Sequence, residues 1–285
     1  MPDNGAAIVT GGASGIGEAT CHALAARGLD VAVADLDPEE AGRVVEAVTA
    51  ATDADATAVE VDVSDEAAVE AAVDAATDAF GRLDVLVNNA AVASREADGP
   101  VTEVEDAGFD FVTGVNLRGP VYACKHAIPA MLETGDGTGV VVNNASVAAL
   151  VAEPGMDVYT ATKGALVSLT RSIAVEYAPE IRANTVCPGV VRTPMLESVL
   201  EETDDTGDEG GAGDANVNDA DEADDEAGAG DATDVPDNLR RMIDDTPLGI
   251  GDPDAIADAV AFLATDRSRY VTGATIPVDG GFTAR

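Results

Sequence analysis

The stretch YTATK sets Tyr159 and Lys163 four residues apart, one helical turn, so that on a helix phenol and ammonium share a face. A cation beside a tyrosine stabilises the phenolate and lowers its pKa toward working pH, which makes a general acid and base. Such a pair also arises by chance in many helices. Here the lysine is one of only two, Lys125 and Lys163, among 15 basic residues, so composition alone does not put a lysine at that spacing.

A second cluster, TGGASGIG, places Gly11, Gly15 and Gly17 between the apolar run AAIVT (6–10) and the helical stretch EATCHALAARG, which Gly28 closes. Missing side chains at a strand-to-helix turn let a pyrophosphate approach the backbone and the helix N-terminus. A tight turn without a ligand is the alternative. Asp35 ends the next apolar run, 18 residues after Gly17, where a carboxylate accepts hydrogen bonds from ribose hydroxyls and repels a 2′-phosphate. No Arg or Lys stands in the turn or just after Asp35, which favours NAD over NADP. Asp35 as a plain helix cap is the competing reading, a role Asp37 serves better ahead of Pro38.

The elements that must position these groups are legible as alternation. Apolar runs at 6–10, 31–35, 56–62, 83–90, 139–146, 181–189 and 274–279 read as seven strands. Helical stretches lie at 65–80, about 104–133, about 158–178, and 253–264 behind an Asp252 cap, and amphipathic character returns over 235–249. Continuous apolar strands interleaved with helices predict a parallel sheet covered on both faces, with ligands collecting at the strands' carboxyl ends. A length of 285 residues is compatible with one such domain over 1–285.

Charge sets a different boundary. The net charge is −39, and residues 201–234 hold 15 of the 54 acids and no base; the remaining 39 acids against 15 bases still leave −24. Such a surface repels nucleic acid and anionic membranes, and its self-repulsion is relieved by salt. With 13 of 15 bases arginine, the pattern looks like that of a salt-accumulating halophile, most readily an archaeal one; an acidic mesophilic protein is the alternative. Cys21, Cys124 and Cys187 show no metal-ligand spacing, and a reduced cytoplasmic setting with buried thiols and no bound metal is expected. His22 and His126 have no partner at ligand spacing and read as structural. The N-terminus lacks a signal pattern and no long apolar run occurs, so a soluble protein is expected.

Taken together, TGGASGIG, NNAA (88–91), Asn116 in NLRG, Ser146, YTATK and PGVVRT (188–193) resemble the short-chain dehydrogenase/reductase family in its compact single-domain branch, over the whole chain except 201–234. The 13-residue step from Ser146 to Tyr159 matches as well. The resemblance implies a Rossmann-like doubly wound α/β fold and a homotetramer. It implies that Tyr159 exchanges the proton with the substrate oxygen, that Ser146 hydrogen-bonds that oxygen, that Lys163 binds the nicotinamide ribose, and that Asn116 holds a water leading from the lysine. Gly11, Ser14, Gly15, Ile16 and Gly17 match the pyrophosphate turn, Asp35 the ribose, and Asp62 with Val63 the adenine pocket. Asn88, Ala90, Pro188, Gly189, Val191 and Thr193 match positions around the second ribose and the carboxamide.

Glu153 and Met156, between Ser146 and Tyr159, are expected to line the substrate pocket, and Met195, Leu196 and Val199 form an apolar stripe at the start of a substrate lid at about 190–250. Ordinary packing is the alternative for the last three. Ala91 stands where the family has Gly, and Cys187 where it has Asn before PG; each is expected to narrow the pocket or alter its packing. The implied activity is hydride transfer between NAD and a secondary alcohol or ketone. A 3-oxoacyl-thioester reductase and a sugar or polyol dehydrogenase remain open within the family, and a non-catalytic NAD sensor or scaffold outside it. The acidic run falls inside the lid segment. It reads as a salt-solvating disordered excursion, a cation-binding loop or a partner-binding segment.

Overall fold

A computed structural model describes residues 5–196 and 237–284. Val199 and the acidic run 201–234 lie outside the described residues. Seven strands form one parallel sheet in the order β3-β2-β1-β4-β5-β6-β7: β1 Ala6–Thr10, β2 Asp30–Asp35, β3 Ala56–Glu60, β4 Val85–Asn88, β5 Gly139–Asn144, β6 Ile181–Pro188 and β7 Thr275–Val278. All seven expected strands are present in the doubly wound arrangement. Several expected ends are trimmed, which leaves Asp62, Ala90 and Ser146 just past the carboxyl ends of β3, β4 and β5.

Alternation along each strand builds two cores. Val9, Val33, Val87 and Val142 face the helices α1 (Gly15–Ala25), α2 (Pro38–Ala51) and the late helix over Pro253–Ala264, meeting Leu24, Val44 and Val260. Ile8, Ala32, Leu86 and Val141 face the other layer, meeting Val73 of α3 (Glu66–Phe80), with Ile128 and Ile173 from later helices. Because β1 pairs with both β2 and β4, the chain reverses its winding there, and the crevice above β1 is where an open α/β sheet takes ligands.

Local signals explain most helix ends. Asp37 accepts from the amides of Glu39 and Glu40 to cap α2, with Pro38 as its first residue. Asp252 does occupy the position ahead of Pro253 but makes no side-chain cap bond; it pairs instead with Arg192 at 3.8 Å.

The single helix expected over about 104–133 is three pieces. After α4 (Asp106–Thr113), the turns widen to π geometry over Gly114–Arg118 and return to α in α5 (Gly119–Glu133). The Gly119 amide reaches back to the Gly114 carbonyl. Pro120 lacks an N–H, so the Asn116 carbonyl has no donor four residues on, and Asn116 sits in the widened turn, a feature often found at functional sites. The remaining helices are α6 (Asp157–Glu176), α7 (Asp237–Asp244) and α8 (Pro253–Ala264). None of the described helices is long and apolar enough to cross a membrane.

A chain of buried polar side chains ties β4, β5, β6 and α6 together. Asn88 donates to Asn143 at 2.8 Å, Asn143 donates to Thr170 at 2.7 Å, and Thr185 donates to the same Thr170 hydroxyl at 2.7 Å. Thr170 in turn donates to the Leu166 carbonyl at 2.8 Å, so every link has a partner, as burial requires.

Candidate active site

Ser146 follows β5 and opens a 3-10 turn over Val147–Ala149, its hydroxyl accepting from the Ala148 amide at 3.1 Å. α6 supplies Tyr159 and Lys163 from one face, and both are buried, with 9% and 2% of their surface exposed. The Lys163 ammonium donates to the Asn144 carbonyl at 3.1 Å and lies 5.5 Å from the centroid of the Tyr159 ring.

Burial governs the ionisation of both groups. It pushes Lys163 down to about 8, against a small opposing pull from Cys187. It pushes Tyr159 up to about 12, although a hydrogen bond with Ser146 works the other way. Burial thus acts on the phenol in the direction opposite to the lowering expected from Lys163. Desolvation disfavours the charged form of each group, the phenolate and the ammonium alike. Lysine, not tyrosine, is the group whose charge is balanced near neutral pH.

Asn116 does not face the cleft. It is fully buried, and its amide clasps the Val92 backbone, accepting from the Val92 N–H at 2.8 Å and donating to the Val92 carbonyl at 2.8 Å. Its side-chain oxygen and its side-chain amide are thus both engaged by the backbone of a single residue.

The Gly-rich turn leads from β1 into the N-terminus of α1. Gly17 has no alternative, because a Cβ there would stand 1.8 Å from the Gly11 carbonyl oxygen. A Cβ on Gly15 would fill the gap toward Thr193, 3.1 Å from its methyl. Ser14, the N-cap, makes no side-chain cap bond, so its hydroxyl and the first amides of α1 are available to an anion. Asp35 braces the turn, accepting from the Ala13 amide at 2.9 Å and from the Asp37 amide at 3.2 Å. Asp62 accepts from the Ser64 amide and hydroxyl at 2.8 and 2.7 Å. These groups fit a pyrophosphate and an adjoining ribose.

One basic residue does approach the turn from a distance in sequence. Arg43 of α2 donates to the Ala13 carbonyl at 3.3 Å, and Glu18 and Glu40 pair with it at 2.9 and 2.7 Å. The absence of a base beside the turn thus holds for neighbours in sequence and not in space, but two carboxylates already engage this guanidinium.

A cleft of about 790 Å³ joins the two halves. Of the expected cofactor residues, Gly11, Ser14, Gly15, Ile16, Asp35, Asp62, Val63, Ala90, Pro188, Gly189, Val191 and Thr193 line it together with Ser146, Tyr159 and Lys163. Glu153, Met156, Met195 and Leu196 line it too. Gly17, Asn88 and Asn116 do not: Gly17 is packed against the turn, and Asn88 belongs to the polar chain inside the sheet. Ala91 lines the cleft, whereas Cys187 is fully buried, packs on Ala145, Leu166 and Val167, and has its thiol pushed up to about 11 by burial.

Several contributors carry no sequence signal. Leu239 and Met242 of α7 and Arg95 line the cleft, and burial raises the Glu153 carboxyl while Arg95 opposes the rise. Asn89 bonds the carbonyls of Thr10 and Gly11 at 3.1 and 2.9 Å and accepts from Asn144 at 2.8 Å, lashing the Gly-rich turn to β4 and β5. Its only signal in the sequence is the doubled NN of NNAA, in which Asn88 is the residue expected beside the cofactor.

Residues 5–204 match the family model described as short chain dehydrogenase, and residues 223–283 match one described as Enoyl-(Acyl carrier protein) reductase. The chain is similar to a 2-(R)-hydroxypropyl-CoM dehydrogenase of Xanthobacter autotrophicus, 38% identical over 98% of each protein. It is similar to a meso-2,3-butanediol dehydrogenase of Serratia marcescens, 33% identical over 99% of this chain and 96% of that one. Among solved structures it resembles a 3-ketoacyl-(acyl-carrier-protein) reductase from Brucella melitensis complexed with NADH, with a TM-score of 0.78 and 32% identity over 99% of this chain and 100% of that one.

Proposed function

The chain belongs to the short-chain dehydrogenase family of alcohol and ketone oxidoreductases, and we propose that it is an NAD-dependent enzyme interconverting a secondary alcohol and its ketone through Ser146, Tyr159, Lys163 and Asn116. The observation that carries this reading is the meeting of Ser146, Tyr159 and Lys163 with the Gly-rich turn and Asp35 in one cleft at the carboxyl ends of the strands.

The dinucleotide, when bound, supplies the hydride acceptor or donor. Tyr159 holds the proton: a phenol pushed up to about 12 is protonated at neutral pH and ready to donate to a carbonyl oxygen in reduction. Ser146 orients that oxygen by a hydrogen bond. Lys163, pushed down to about 8, exchanges protons near neutrality and restores the phenol, with the Asn116 carbonyl as the station for a water between the lysine and solvent. Asp35, facing the ribose, supports NAD over NADP.

The acid-rich, lysine-poor composition supports a salt-adapted cytoplasmic protein. Exposed Phe109 and Phe111 on α4 with Val121 and Leu132 on α5 support a homo-oligomer, the tetramer of the family resemblance. The test of function is NADH formation with NAD and a panel of secondary alcohols, diols and 3-hydroxyacyl thioesters at high salt. Tight NAD binding without turnover on any of them would favour a sensor instead.

A further inference from the structure

The helix that carries Tyr159 has no cap of its own. Met156 stands at the N-cap of α6 and makes no side-chain cap bond, so the first amides of the helix need an acceptor from elsewhere. Asp98 supplies it from the loop after β4. One carboxylate oxygen accepts from the Val158 amide at 3.0 Å and the Gly99 amide at 2.7 Å; the other accepts from the Tyr159 amide at 2.7 Å. Only 7% of Asp98 is exposed, which strengthens charge-assisted bonds of this kind.

The grip is reciprocal. Asp157, the first residue of α6, accepts from the Val101 amide at 2.9 Å and gives its own N–H to the Gly99 carbonyl at 3.3 Å. On its far side the same loop is held by α4, which passes so close that a Cβ on Gly108 would stand 2.0 Å from the Ala97 carbonyl oxygen. Ala93, Ala97 and Val104 of the loop pack with Val112, Met156 and Tyr159. The loop that brings Arg95 to the cleft is thus fixed to the backbone of Tyr159 itself.

We propose that Asp98 is a positioning residue for Tyr159, its buried carboxylate closing the N-terminus of α6 from the neighbouring loop and so setting where the phenol stands in the cleft. The inference rests on Tyr159 being the proton-exchanging group. A shift of that phenol by a fraction of a bond length from the substrate oxygen lowers turnover without weakening binding.

The experiment compares Asp98→Ala, Asp98→Asn and Tyr159→Phe with the unaltered chain at high salt, measuring kcat per folded molecule, substrate KM, NADH affinity and melting temperature. Asp98→Ala is expected to lower kcat by ~10- to 100-fold, with KM and NADH affinity within about two-fold. Asp98→Asn keeps the shape and one acceptor oxygen but turns an N–H₂ toward a backbone donor, so it should recover part of the loss; should the alanine variant not fold, this variant carries the test. Wild-type kcat in the folded variants with only a lower melting temperature, or a loss confined to KM, would overturn the proposal. A Tyr159→Phe variant that keeps turnover would overturn the reading of the site itself, and this inference with it.

Discussion

The Lys163 ammonium stands 5.5 Å from the centroid of the Tyr159 ring, and both side chains are largely buried at the wall of the cleft. Its charge is a stability cost. The folded value of about 8 lies below the ordinary 10.5, so below pH 8 folding buries an ammonium the unfolded chain would keep hydrated. Lys163→Met should therefore be more stable than the unaltered chain near neutral pH, on the order of 3 kcal/mol, less about 1 kcal/mol for the lost bond to Asn144. The gap should close as pH rises from about 8 toward 10.5, because there the unfolded chain binds more protons and native stability climbs. Urea unfolding of both proteins across that range measures it; a gap constant with pH would show that folding leaves the pKa of Lys163 unshifted.

The same two groups set the pH dependence of turnover. Deprotonation of Lys163 opens a place for the proton released from an alcohol, so the oxidation rate should rise through about pH 8, while reduction falls over the same interval. Tyr159→Phe should lower kcat in both directions by ~10²- to 10⁴-fold, the range for a lost general acid, with NADH affinity preserved. Steady-state rates and fluorescence titration of NADH check both statements.

Cofactor choice should follow Asp35. Its carboxylate holds the Ala13 amide, so Asp35→Ser, which keeps a short acceptor while removing the charge, is preferable to alanine. The ratio of kcat/KM for NAD to that for NADP should fall by at least ~10-fold, corresponding to ~1.4 kcal/mol. Adding Glu18→Gln, which releases one arm of Arg43, should shift it further. An unaltered enzyme that already prefers NADP would sink the assignment of Asp35.

Salt should act through the surface. With −39 net charge, the melting temperature should rise steeply between low ionic strength and ~1 M salt, where the Debye length falls to ~3 Å. Replacing 201–234 with a short linker removes 15 of the acids and should flatten that rise and alter substrate KM while leaving NADH affinity intact. Calorimetry and steady-state kinetics over a salt series read both outcomes.

What could be read from the sequence depended on the range of the interaction. The strands, the Asp37 cap and the Gly-rich turn are written in adjacent residues, and the structure reproduces them with ends shifted by a residue or two. The π turn was hidden, because nothing in the pattern of 104–133 separates a widened turn from a regular one; only Pro120 hints at it. Asp98 was invisible for a plainer reason. It caps a helix about sixty residues away from a loop without periodicity, one acid among 54. Arg43 reached the cofactor turn in the same way, across a helix-to-turn packing that no local rule encodes.

The polar chain from Asn88 through Asn143 to Thr170 and Thr185 also bears on how such a protein can change over generations. An apolar replacement at Asn88, Asn143 or Thr170 takes a hydrogen bond from a buried neighbour, whereas Thr170 keeps Asn143 and the Leu166 carbonyl as partners when Thr185 is lost. Paired replacements avoid that penalty, and the sign of a mutation's effect at Asn143 then depends on what already stands at Asn88 and Thr170. The interior beneath the cleft is a place where substitutions must travel in company, while the solvent-facing residues around it are free to drift one at a time.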